Sequence, residues 1–280
     1  MPGPKRLDPS SSPRAMLGAE LRHQREKAGL SQDELGALLF VSGSFIGQLE
    51  AGTRRMLPEY AQKIDDILKT DGYFFRNCGA AMKSKYPDHF AEAAEAEAQA
   101  TSIKEYSPSL IPGLLQTEAY ARAVFRAYQP TTTEKLIDEL VAARLERARL
   151  LDDATNPLLW VVLDEAVLHR TTGGRKVMAE ALRHVAALIR RHRIIVQVLP
   201  FDAGAHTALG GPLKLMAFSD APPLAYLDGL GSGQLLDDPA TVSRYELSYD
   251  LLAASALSPE ASLALIETAA EAFTDEHKQE

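Results

Sequence analysis

The chain has 280 residues, 46% of them hydrophobic, which is long enough for two domains and apolar enough for a sizeable core. No run approaches the ~18 consecutive apolar residues of a membrane span, and the single cysteine, Cys78, excludes an internal disulfide or a cysteine-built zinc cage. The net charge of −8 is unevenly placed: residues 1–70 hold ten Lys/Arg against nine Asp/Glu, and the rest hold twenty against twenty-nine.

Met1 to Pro13 is rich in Pro and Ser and lacks an apolar core, so it reads as a disordered tail and not as a signal peptide. A helix is expected from about Ala15 to Ala28, with Leu17 and Leu21 on one face and Gly29 as its stop. Ser31 begins a second helix. Glu34, three residues on, completes a capping box in which each side chain bonds the other residue's free N–H. Leu35, Leu38 and Leu39 supply its buried face. Ser42 is a good N-cap for a third helix, with Ile46 and Leu49 inward and Gly52 at its end. Pro58 opens a fourth, burying Ala61, Ile64 and Leu68. Residues 14–70 therefore form one all-helical domain, and 71–100 a connector containing an acidic, Ala-rich helix around Asp88 to Ala100.

Beyond it the pattern is mixed. An extended piece, Thr101–Tyr106, is followed by helices near Thr117–Tyr128 and Thr133–Asp152. Short β-branched runs at Leu158–Leu163 and Ile194–Leu199 read as buried strands, with a helix near Arg175–His192 between them. Leu213–Phe218 and Leu224–Leu227 add two more strands, and helices near Thr241–Ala254 and Pro259–Phe273 follow. The expected fold class is a mainly α N-terminal helix-turn-helix domain plus an α+β C-terminal domain, residues 101–275, with a small sheet.

The tight turn between the second and third helices is the informative feature. Such a turn sets two helices at a steep angle, so that the second can enter the major groove of double-stranded DNA. Gly36 suits their closest approach, and Leu35, Leu39, Val41, Ile46 and Leu49 make the pair rigid. Gly43, Ser44, Phe45 and Gln48 are left outward. Gln48 can bond adenine through N6 and N7, and Phe45 can touch a thymine methyl or the sugar wall. The same apolar spacings also suit a packing or dimerisation module. A reader so weakly charged releases few counterions, which favours a homodimer placing two readers on one site.

The run Gly29-Leu-Ser-Gln-Asp-Glu-Leu35, then Val41-Ser-Gly-Ser-Phe-Ile-Gly-Gln-Leu-Glu50-Ala-Gly52, resembles the phage-repressor-like (Xre/Cro) helix-turn-helix family. The resemblance implies that Gln32 holds a phosphate, that Ser42, Ser44 and Gln48 face bases or neighbouring phosphates, and that Thr53, Arg54 and Arg55 meet the backbone beyond. It also implies a structural ion pair between Arg25 and Glu50. Phe40 stands where that family carries Gly, at a turn position that often needs positive φ. Either the turn is reshaped or Phe40 packs against the second domain.

Further along, Glu165 and His169 lie four apart on a helix, as a surface pair or half a metal site. Gly173-Gly174-Arg175-Lys176 reads as a helix start that either is plain loop or cradles an anion. Phe201 to His206, with Gly210-Gly211, is a loop that either closes over a ligand or only joins strands. Arg144, Arg147 and Arg149, with Glu146, read as a solvated face with intrahelical pairs. Trp160 reads as a core anchor rather than a ligand contact, and Cys78 as a buried or idle thiol. No nucleophile–base pair or carboxylate dyad stands out, so neither catalytic residues, a metal nor a cofactor is expected, and no ligand residues are assigned.

Thr101-Ser-Ile-Lys-Glu-Tyr-Ser-Pro-Ser-Leu-Ile-Pro-Gly-Leu-Leu-Gln-Thr-Glu118, with Trp160 to Glu165, Val196 to His206 and Ala256 to Ser262, is similar to an uncharacterised domain of actinobacterial regulators. Many such regulators are encoded beside a small partner protein and are described as toxin–antitoxin-like. Together the two resemblances imply a cytoplasmic, nucleoid-associated, dimeric transcription regulator that is not an enzyme. Its C-terminal domain senses a small-molecule effector or binds a partner. The alternative is an antitoxin-like protein whose C-terminal domain sequesters a small protein, DNA binding serving autoregulation.

Overall fold

A computed structural model describes residues 13–79, 88–153 and 157–274. The expected N-terminal tail, apart from Pro13, lies outside the described residues. The contacts divide the chain into two units. The first comprises the residues up to Ala100 together with Met216–Tyr226 and Gln234–Ser243, and the second holds Thr101–Leu215, Leu227–Gly233 and the chain from Arg244 on.

The first unit opens with α1 (Pro13–Lys27), α2 (Gln32–Leu39), α3 (Gly43–Ala51), α4 (Pro58–Leu68) and α5 (Tyr73–Cys78). Leu17 and Leu21 on α1, and Leu35 and Leu39 on α2, each four apart, bury one stripe of each helix, whereas Leu38, expected on that face, stands 52% exposed. The buried leucines meet Phe45, Ile46 and Leu49 of α3, Ile64 of α4, and Phe74 and Cys78 of α5 in a single core. Asp65, itself buried, accepts the N–H groups of Phe74 at 3.0 Å and Phe75 at 2.8 Å, satisfying the free start of α5. The helix α6 (Asp88–Glu97) belongs to the same unit. Its alanines at 91, 93, 94 and 96 are buried, small enough for neighbouring backbone to approach.

The rest of the chain runs β1 (Ser102–Ser107), α7 (Glu118–Tyr128), α8 (Glu134–Ala148), β2 (Leu158–Asp164), α9 (Glu165–His169), α10 (Arg175–Arg190), β3 (Ile194–Leu199), β4 (Leu213–Ala217), β5 (Leu224–Gly229), β6 (Ser232–Leu236), α11 (Pro239–Ser255) and α12 (Pro259–Ala272). The six strands form one mixed sheet in the order β3-β2-β1-β4-β5-β6. In the second unit β1, β2 and β3 are parallel neighbours, with Tyr106 opposite Val162 and Val162 opposite Gln197. Parallel strands need long crossovers, supplied here by α7–α8 and by α10.

The edge of β3 is covered. Val198 donates its N–H to Ser262 Oγ at 2.9 Å, and its carbonyl accepts Leu257 N–H at 2.9 Å, which occupies the edge of the strand at that residue. Trp160 is tied in from both ends: its Nε1–H donates to Gln197 Oε1 at 2.9 Å, and its carbonyl accepts the Tyr249 hydroxyl at 2.8 Å. Among the described residues no helix is long and apolar enough to cross a membrane.

Candidate nucleic-acid interface

Two serine caps fix the start of α2 and of α3. Ser31 Oγ accepts Glu34 N–H at 3.2 Å while Glu34 Oε2 accepts Ser31 N–H at 2.7 Å, a reciprocal pair that holds the Glu34 carboxyl below its ordinary range. Ser42 Oγ accepts Phe45 N–H at 3.0 Å, so that hydroxyl is engaged as a cap. Between the helices the chain turns through Phe40 at φ 60° and ψ 39°, its N–H directed to the carbonyls of Ala37 and Gly36. Neither route expected for Phe40 is taken. The left-handed turn is kept, because those two carbonyls need the N–H it presents, and the ring stands 92% exposed.

Glycines let the helices meet backbone to backbone. A Cβ at Gly36 would lie 2.8 Å from the Val41 carbonyl oxygen, one at Gly43 would collide with the Asp33 carboxylate, and one at Gly18 with the carbonyls of Leu49 and Glu50. This closeness, more than apolar spacing, sets the angle of α3 on α2.

Glu50, at the end of α3, has no exposed surface. Its charge is compensated from three sides: Arg25 Nε at 2.5 Å and Nη2 at 3.1 Å, Arg22 Nε at 3.4 Å and Gln32 Nε2 at 2.8 Å. The bond to Glu50 raises the Arg25 pKa above its ordinary value. Gln32, expected on a phosphate, lies here with its Nε2 on this carboxylate.

On α3 the sequence expectation of an outward Phe45 is corrected. Phe45 is buried in the core, tilted against Tyr60 with ring centroids 4.9 Å apart, and the Arg54 guanidinium lies 4.5 Å from its ring centre. An aromatic face between a phenol and a cation is better held there than in water. Gln48 is also fully buried, yet neither its Nε2 nor its Oε1 has a partner, and Ser44 Oγ is buried and unpartnered likewise. Gly47 sits between them, where a Cβ would lie 3.3 Å from Gln32 Oε1 and 3.5 Å from Pro222 Cδ.

The residues after α3 are also engaged. Thr53 Oγ1 donates to the Gln48 carbonyl at 3.2 Å. Arg54 Nη1 lies 2.9 Å from Asp237 Oδ2 and its Nε 3.9 Å from Glu92. Arg55 donates through Nε and Nη2, each at 3.2 Å, to the two oxygens of Glu95, which also pairs with Arg14 at 2.6 Å. Burial pushes the Glu92 carboxyl up, and the cations of Arg54, Arg55 and Arg14 only partly offset it. Gln99 Nε2 donates to the Gly52 carbonyl at 3.0 Å. Glu92, Glu95, Asp237 and Pro222 carry no local motif; the acidic composition of the expected Asp88–Ala100 helix was the one signal pointing to any of them.

The second unit gathers polar groups at the C-terminal ends of its parallel strands. The Tyr106 hydroxyl donates to Asp164 Oδ2 at 3.2 Å and lies 3.5 Å from His206 Nε2. Burial beside Asp164 pushes this phenol well above its ordinary range. Glu165 lies 3.4 Å from His169 and accepts Phe201 N–H at 2.8 Å. No group of three or more His, Cys, Asp or Glu among the described residues is placed to hold a metal ion. Gly173 and Gly174, both at positive φ, lead into α10. The arginines of α8 differ from the solvated face expected. Arg144 Nη1 donates to Gln116 Oε1 at 2.7 Å and its guanidinium lies 4.6 Å from the Phe125 ring centre, while Arg147 is buried where a Cβ on Gly113 would strike it. The tight Pro112–Gly113 turn draws both inward.

Residues 16–73 match a family model described as a helix-turn-helix domain, so the capped pair of helices defines a helix-turn-helix regulator, a class that binds DNA. Residues 90–268 match the model described as a domain of unknown function (DUF5753), and the chain belongs to that family. No curated protein and no solved structure matches the chain.

Proposed function

We propose that the protein is a sequence-specific transcription regulator that reads a short operator through α3, in the manner of the phage-repressor-like family. Two copies on one site supply the affinity that a near-neutral reader lacks. The observation that carries this reading is the state of Ser44 and Gln48. Both present buried polar atoms with no partner in the protein, although buried amides and hydroxyls almost always find one. Base edges offer those bonds, Gln to adenine above all. Arg54 and Arg55, just past α3, supply the phosphate contacts that set register. The second unit receives the signal, and the convergence of Tyr106, Asp164 and His206 at parallel strand ends favours a small molecule there.

Selection of bound duplexes from a random-sequence library tests the reading. A single enriched motif is expected. Gln48→Ala would then lose about 1–3 kcal/mol of discrimination at one base step, whereas Arg54→Ala would weaken all sequences alike. No enrichment, or equal losses on selected and random DNA for both variants, rejects it.

A further inference from the structure

The groups that would meet DNA are already met inside the first unit. Arg14, Arg54 and Arg55 face three carboxylates, Glu92 and Glu95 on α6 and Asp237 in the 234–243 segment, in pairs between 2.6 and 3.9 Å. Arg55 on Glu95 is bidentate, the geometry in which guanidinium grips a phosphate. Pro222 lies against α3 at Gly47, one residue from Gln48.

We propose that α6, the Pro222 turn and the 234–243 segment form an autoinhibitory clamp on α3, with Glu95 and Asp237 holding the arginines in place of DNA phosphates. The proposal rests on the reading of α3 as the DNA-reading helix. A contact that served only to stabilise the fold would cover α3 with apolar or hydrogen-bonded groups. Here Pro222 lies against Gly47, between Ser44 and Gln48, whose buried polar atoms have no partner, and Glu92 is held where burial disfavours its charge. These are costs of the closed state that opening onto a duplex removes, since bases bond the amide and hydroxyl and phosphates replace the carboxylates. The clamp therefore lowers apparent DNA affinity by the fraction of molecules that stand open.

The test compares the full chain with a Glu95→Gln, Asp237→Asn variant on a mixed-sequence DNA duplex at fixed salt, by fluorescence anisotropy. A control, Glu59→Gln, Asp66→Asn, removes the same charge from exposed positions of the unit. The clamp variant is expected to bind at least about tenfold tighter than the control variant, as release from a closed state populated some nine parts in ten requires. Hydrogen exchange provides the folding check: the amides of the α1–α2 core stay protected in the clamp variant while those of residues 88–97 and 234–243 exchange faster. Equal affinities of the two variants overturn the clamp and leave the DNA-reading assignment standing. Absence of binding by wild type and both variants overturns that assignment, and the clamp with it. Loss of protection confined to 88–97 and 234–243 without a gain in affinity also overturns the clamp.

Discussion

Arg25 spans the Glu50 carboxylate, Nε on one oxygen at 2.5 Å and Nη2 on the other at 3.1 Å, in a place where the acid has no exposed surface. Removing one partner of such a pair strands a buried charge. Arg25→Met is expected to cost about 3 kcal/mol of stability, softened by Arg22 and Gln32. The double variant with Glu50→Leu should recover most of the loss, since two apolar side chains can fill the same space. Urea denaturation of both proteins checks this; a double variant no more stable than Arg25→Met would refute it.

Phe40 adopts a left-handed backbone while its ring is almost wholly in solvent. The conformation costs an L-residue roughly 1–2 kcal/mol, and no packing is lost on truncation. Phe40→Gly is therefore expected to raise thermal stability by about 1 kcal/mol, and Phe40→Asn by less. A lower melting temperature for Phe40→Gly would show that the ring contributes contacts it does not make here.

Gly36 and Gly79 are expected to respond oppositely to alanine. At Gly36 the methyl would press on the Val41 carbonyl, a backbone atom that cannot swing aside, and a loss of about 1–3 kcal/mol follows. At Gly79 no atom of the described residues lies within 4 Å of the added carbon and the backbone is helical. Gly79→Ala should be neutral or slightly stabilising, by up to ~1 kcal/mol. Equal effects at the two sites, by calorimetry, would refute the close approach of α2 to the start of α3.

Glu92 supplies a pH dependence whose sign is fixed. Burial raises its folded pKa above the unfolded one, so folding favours the protonated acid. The stability this contributes is full below the ordinary glutamate range and is lost as pH rises through the raised folded value. At neutral pH Glu92→Gln should stabilise the fold, and the advantage should shrink on acidification. Melting curves at neutral and acid pH decide it; a variant advantage that grows toward acid pH would contradict the burial argument.

What could be read from the sequence was local. The Ser31–Glu34 box, the Ser42 cap and the Gly52 stop depend on residues within a turn of one another, and the helices fall where those signals put them. Strands β2, β3 and β4 announced themselves as short β-branched or apolar runs. β6, Ser-Gly-Gln-Leu-Leu, did not, because an exposed edge strand needs no apolar alternation. The inward turn of Phe45 depends on Tyr60 and Arg54, and the engagement of Arg54 depends on Asp237, 183 residues away. No local window along the chain contains both ends of the Arg54–Asp237 pair.

The first unit is discontinuous: its last pieces, residues 216–226 and 234–243, are separated from its helices by more than a hundred residues. Synthesis therefore completes α3 long before it completes the later segments of its unit. At ~5–20 residues per second, the stretch from Ala51 to Ser243 takes roughly 10–40 s to make. Once Glu92 has been made, Arg54 has it but not Asp237 until residue 237 follows, and Gly47 lacks Pro222 until residue 222 does. A nascent chain thus passes through a stage in which α3 is more open than in the finished protein. A truncation ending before residue 216 would hold it there permanently.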